Sequence, residues 1–152
     1  MASIESAYRF YLLRLIFRHR NVGGIWFYPR HNKQIEANII GALEIVKSQN
    51  LSEFIRRSIN GVIFIPASKY KYDDCFYIIY RRCKVMIVSS YYAEEVSLPY
   101  LASLLVKWAN MMSYRLSYDS VEARKSQVDF LTDVNTEEAF RIINDLEEQW
   151  RE

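Results

Sequence analysis

Phe10-Tyr11-Leu12-Leu13-Arg14-Leu15-Ile16-Phe17 is apolar at every position but one, and the conformation of this stretch decides the fold. Tyr11, Leu13, Leu15 and Phe17 share one face at period two, while Arg14, Arg18 and Arg20 share the other with Phe10, Leu12 and Ile16. That parity favours a strand buried on one side and partly covered on the other. A helix is the rival, since Ile4, Tyr8, Tyr11, Leu12 and Leu15 follow helical spacing. Arg9, Arg14 and Arg18 would then scatter around the helix, so the strand is preferred. Asn21-Val22-Gly23-Gly24 is a turn by composition. Ile25-Trp26-Phe27-Tyr28, stopped by Pro29, completes a hairpin.

From Gln34 onward the period changes to that of a helix. Ile35, Ile39, Leu43 and Val46 form one stripe, and Asn32 is placed to cap it. Asn50 interrupts, and Leu51, Phe54, Ile55 and Ile59 continue a helical stripe with Arg56 and Arg57 outside it. One long helix, or a helix plus a short second one, ends near Ser58. Asn60-Gly61 breaks the chain before a short buried strand, Val62-Ile63-Phe64-Ile65, ended by Pro66. The runs Cys75 to Tyr80 and Val85 to Tyr91 are rich in aromatic and β-branched residues and read as strands, with Arg81-Arg82-Cys83-Lys84 as the turn.

Ser97 and Pro99 open an amphipathic helix whose stripe is Leu101, Leu104, Leu105, Trp108 and Met112. Asn135 and Glu138 have the spacing of a capping box for a last helix with Phe140, Ile143, Leu146 and Trp150 on its stripe. The segment 113–133, with hydrophobic islands at Leu116, Val121, Val128, Phe130 and Leu131, is expected to be a loop packed on the body. The expected order is β-β-α-β-β-β-α-α. Short connections suggest a five-stranded antiparallel sheet with three helices, an α/β (α+β) architecture.

The bulk numbers agree with a single domain over 1–152. Of the 152 residues, 51% are hydrophobic and 25% charged, a globular balance that excludes disorder. Two cysteines, Cys75 and Cys83, are too few for a disulfide scaffold and point to a reduced cytosolic setting. Arg9 and Arg14 interrupt any candidate signal sequence, and no uncharged run reaches the roughly 18–20 residues of a membrane span. The expectation is a cytoplasmic protein, reaching a membrane only through partners. The net charge of +2 hides a split. Residues 1–92 carry 14 Lys/Arg against 6 Asp/Glu, and residues 93–152 carry 6 against 12. The two halves can neutralise each other across the surface, or the basic half can face an outside partner.

From Phe76 onward the chain resembles the longin domain in its sigma-adaptin form. Tyr77-Ile78-Ile79-Tyr80-Arg81-Arg82 followed by Val85-Met86-Ile87-Val88 is similar to a sigma-adaptin strand pair. The helix Leu98 to Met112 and the segment Val134-Asn135-Thr136-Glu137-Glu138-Ala139-Phe140-Arg141-Ile142-Ile143 resemble the second and third helices of that family. A helix over residues 4–18 would shift the pattern toward the related roadblock domain. Both families imply non-enzymatic scaffolds that dimerise and engage a small GTPase, a coat or a tether in vesicle trafficking or signalling. Such domains pair through a helix and a sheet edge. The surface this implies comprises Ile35, Ile39, Leu43, Phe54, Val62 and Phe64, with Arg56 and Arg57 at the polar rim. The partner is then a second copy or a related small domain, with an anionic membrane surface approached through it.

No catalytic constellation appears. His19 and His31 have no zinc-motif spacing with either cysteine, Gly23-Gly24 lacks the lysine and helix start of a phosphate loop, and no serine sits in a Gly-flanked elbow. Asp73-Asp74 and Glu94-Glu95 read as solvated turn residues. No cofactor or metal is expected. The alternative function is nucleic-acid binding. Lys69, Tyr70, Lys71, Tyr72, Arg81, Arg82 and Lys84 interleave the cations that phosphates require with rings on which unpaired bases stack.

Overall fold

Gly23 and Gly24 have φ of 60° and 87°, the paired positive angles that a tight primed hairpin turn requires. They join β1 (Arg20–Val22) to β2 (Ile25–Tyr28), antiparallel with Val22 opposite Ile25. A Cβ on Gly24 would lie 2.6 Å from Arg56 Cδ, and one on Gly23 2.8 Å from Leu43 Cδ1, so the turn sits against the helices that follow. The computed structural model describes residues 20–28, 32–66, 75–80 and 83–151. The strand expected over 10–17 lies outside the described residues. The described hairpin partner of β2 lies instead where part of the turn was expected.

α1 (Lys33–Ser48) starts at Asn32, whose side chain accepts the Ile35 N–H at 3.0 Å. Asn50, at φ 60°, lies in the connection to α2 (Ser52–Ser58), so of the two expected alternatives the chain takes the helix plus a short second one. β3 (Gly61–Ile65) follows, then β4 (Phe76–Tyr80) and β5 (Cys83–Ser89). After the single-turn α3 (Tyr91–Glu94) come α4 (Leu98–Tyr114), α5 (Val121–Val134) and α6 (Glu137–Arg151). The class is mixed α/β.

The sheet order is β1-β2-β3-β5-β4, and it is not an antiparallel meander. β2 pairs parallel to β3, and β3 pairs parallel to β5, while β4 and β5 form an antiparallel hairpin. The parallel pairing of β2 with β3 has a physical cause. α1 and α2 form a crossover long enough to return the chain to the same end of the sheet, which a parallel pair needs. Central parallel strands are buried on both faces and therefore read as continuous apolar runs. Val62, Phe64, Met86 and Val88 face the helices within the main core; Ile63, Val85 and Ile87, at 0–1% exposed, belong to a second cluster with Trp26, Tyr28 and Ile78.

Among the described residues there are six helices, not three. The expected loop 113–133 holds α5, whose buried face is Ala123, Gln127, Phe130 and Leu131. Ala and Gln on that face hid its period from a reading of large apolar residues, and Val121, counted as an island, is 76% exposed. Asn135 does not cap α6 at its start. It closes α5 at φ 57°, and Thr136 Oγ1 accepts the Ala139 N–H at 3.1 Å. α4 is buried along Leu101, Leu104, Leu105, Trp108 and Met112 as expected, with Ser97 accepting the Tyr100 N–H. α6 is rotated from its expected stripe: Ala139, Ile142, Ile143 and Leu146 are buried, and Phe140 is 42% exposed.

Candidate anion-binding recess

Asn60, the residue before β3, is held by backbone and side chain together. Its C=O accepts the Trp26 N–H at 2.8 Å and its N–H donates to the Lys84 C=O at 2.9 Å. The Lys84 N–H donates back to Asn60 Oδ1 at 2.7 Å. Because a backbone N–H can be accepted only by the amide oxygen, the Asn60 Nδ2 is left as a donor on the other side of the group. This knot joins β2, β3 and β5 at one end of the sheet.

A recess of about 430 Å3 opens beside it, lined by Arg57, Asn60, Ile79, Lys84, Met112, Ser113 and Arg115. The three cations come from α2, from β5 and from the residue that ends α4. Among the described residues, none of the three pairs with a carboxylate: the ion pairs there are Arg56–Glu53 and Lys125–Asp129. Ser113 is fixed by its hydroxyl contact of 2.7 Å with Ser58. Ile79 lies opposite Lys84 in the β4–β5 register and, with the buried Met112, supplies apolar lining.

Cations near helix ends have a purely structural explanation, since the C-terminal carbonyls favour positive charge. Two helix ends contribute at most about one negative charge between them. Three full positive charges exceed that, so the recess stays cationic. The backbone at Arg115 is a second feature of the recess. It is the C-cap of α4 at φ 54°, while the other non-Gly residues at positive φ among the described residues, Asn50 and Asn135, are of a type that tolerates this region. The Leu116 N–H closes the motif on the Met111 C=O at 2.9 Å, a geometry usually given to glycine. A guanidinium is thus held at the recess where a glycine would fit more easily.

The predicted site residues are distributed differently from expectation. Ile35, Ile39, Val62 and Phe64 are 0–3% exposed core residues, and β3 lies inside the sheet, so they form no contact surface. Leu43 and Phe54 are partly buried against the same core. Arg56 is engaged with Glu53 at 2.9 Å. Of the polar rim, Arg57 reaches the recess, and of the nucleic-acid set, Lys84 joins it there. Lys69, Tyr70, Lys71, Tyr72, Arg81 and Arg82 lie outside the described residues, as do His19 and His31. Arg115 was missed; one arginine after an amphipathic stripe carries no signal of its own.

A second basic cluster is closed to ligands. Lys107, 2% exposed, has its Nζ 3.9 Å from the Tyr118 ring centroid and 5.8 Å from that of Trp150, which Arg124 also faces at 5.2 Å. Among the described residues no group of three or more His, Cys, Asp or Glu could hold a metal ion, and no helix is long and apolar enough to cross a membrane. No protein-family model, no curated protein and no solved structure matches the chain.

Proposed function

We propose that the chain is a non-enzymatic binding domain that engages single-stranded nucleic acid through a phosphate seated between Arg57, Lys84 and Arg115. The observation that supports this reading is the meeting, in one open polar recess, of three cations from separate elements with no carboxylate partner among the described residues. Guanidinium groups present forked donors to phosphate oxygens and lysine adds a point charge, so the set suits that anion. Fluorescence anisotropy with a labelled oligonucleotide tests it. Log affinity should fall with log salt at a slope of about −0.7 for each phosphate neutralised. Charge reversal at Arg57, Lys84 and Arg115 together should abolish binding. No binding at low salt, or binding indifferent to the triple reversal, refutes the reading.

One observation favours a second reading, a dimerising interaction scaffold of the longin type. Ile40 and Leu98 are 45% and 37% exposed, and Gly41 lets Leu98 approach α1, leaving an apolar patch on the α1–α4 surface. This patch replaces the helix and sheet-edge surface expected from the resemblance. The small GTPase, coat or tether partner, the cytoplasmic location and the approach to an anionic membrane through that partner all belong to this reading. Light scattering after size exclusion checks its first step: a dimer that Ile40→Lys dissociates supports it, and a strict monomer at high concentration removes it.

A further inference from the structure

Resting on the nucleic-acid reading, we infer that the recess receives the terminal phosphate monoester of a strand rather than a phosphodiester within it. The charge balance carries this. An internal phosphodiester brings one negative charge, whereas a terminal monoester brings about −1.5 to −2 at neutral pH and three acceptor oxygens. Arg57, Lys84 and Arg115 are three cations on one recess, and the Asn60 amide and Ser113 hydroxyl stand with them on its lining. That set exceeds what one phosphodiester can use and matches a dianion.

Shape points the same way. A surface that tracks a strand spreads its cations along a groove, one near each phosphate. Here they come from the end of α2, the start of β5 and the residue after α4, and they converge on a space of about 430 Å3, within the range of small-ligand sites. The anchorage is rigid on the sheet side, where Asn60 is tied by three hydrogen bonds to β2 and β5. Rigid donors lose little freedom when a small anion arrives. Arg115, in left-handed backbone where glycine would be easier, lines the same recess.

The test compares one oligonucleotide sequence with a 5′-phosphate, with a 3′-phosphate and with hydroxyls at both ends, by anisotropy on the full chain. One phosphorylated form should bind on the order of tenfold more tightly than the hydroxyl form. That preference should shrink as pH falls through the second phosphate ionisation, at about 6. It should vanish in Arg57→Gln and Arg115→Gln, with circular dichroism confirming that both variants remain folded. Equal affinity for all three ends overturns the terminal-phosphate claim while leaving strand binding intact. Absence of binding to every oligonucleotide overturns the nucleic-acid reading itself. A phosphoserine peptide that binds more tightly than the phosphorylated strand overturns the strand as the source of the monoester.

Discussion

The amide oxygen of Asn60 accepts the backbone N–H of Lys84 at 2.7 Å, while the Asn60 N–H donates to the Lys84 C=O at 2.9 Å. This reciprocal pair continues the β3–β5 contact one residue before the ladder begins at Gly61 and Val85. Asn60→Ala leaves the Lys84 N–H without its acceptor and should cost about 1–2 kcal/mol in urea unfolding. Asn60→Asp keeps an acceptor for that N–H and should remain near wild-type stability. It also places a negative charge among Arg57, Lys84 and Arg115, so oligonucleotide affinity should drop. Wild-type affinity in Asn60→Asp would show that the anion binds elsewhere.

Arg115 sets stability against binding. Relieving a side chain of left-handed backbone is worth up to about 1–2 kcal/mol, and the greater freedom of glycine in the unfolded chain offsets part of it. Arg115→Gly should therefore raise the thermal midpoint modestly, by roughly 0.5–1 kcal/mol of stability, while weakening oligonucleotide binding. If the variant gains stability and binds as well as the parent, the arginine has no part in the recess.

Lys107 makes stability depend on alkaline pH. Burial lowers its pKa from 10.5 to about 8; Cys75 and Asp119 oppose the shift and Arg124 assists it. In the unfolded chain the amine titrates at about 10.4. Below about 8 both states are charged, and the folded state carries the burial cost of the ammonium, on the order of 3 kcal/mol against the neutral amine. Tyr118 and Trp150 repay part of it through their ring faces. Between about 8 and 10.4 the unfolded chain binds more protons than the folded one, so stability rises with pH across that window. Lys107→Met should be more stable than the parent at neutral pH, with the advantage shrinking toward pH ~10. Taking the difference between the two proteins at each pH removes the tyrosine titrations common to both. Parallel stability profiles would show that Lys107 does not drive the dependence.

Several local signals were legible in the sequence. Asn32 capping α1, the break at Asn50, the Ser97–Pro99 start and the stripe of α4 all follow from side chains meeting backbone or neighbours a few positions away. α5 was illegible because Ala123 and Gln127 occupy its buried face, and helical period is seen chiefly through large apolar residues. The runs Val62–Ile65 and Val85–Val88 did carry the mark of strands buried on both faces. Such runs are characteristic of parallel strands covered on both faces.

By itself, the sequence determined the mixed α/β class, the starts of α1 and α4 and the presence of a basic half. Tertiary structure alone decided strand direction and the recess. Hydrogen bonding between β3 and β5 brings Asn60 beside Lys84, and the end of α4 delivers Arg115 to the same place. Periodicity reports which face of an element is apolar. Which distant cations share one volume of solvent depends on the pairing of strands and the docking of helix ends, which are non-local and leave no mark on any single stretch of chain.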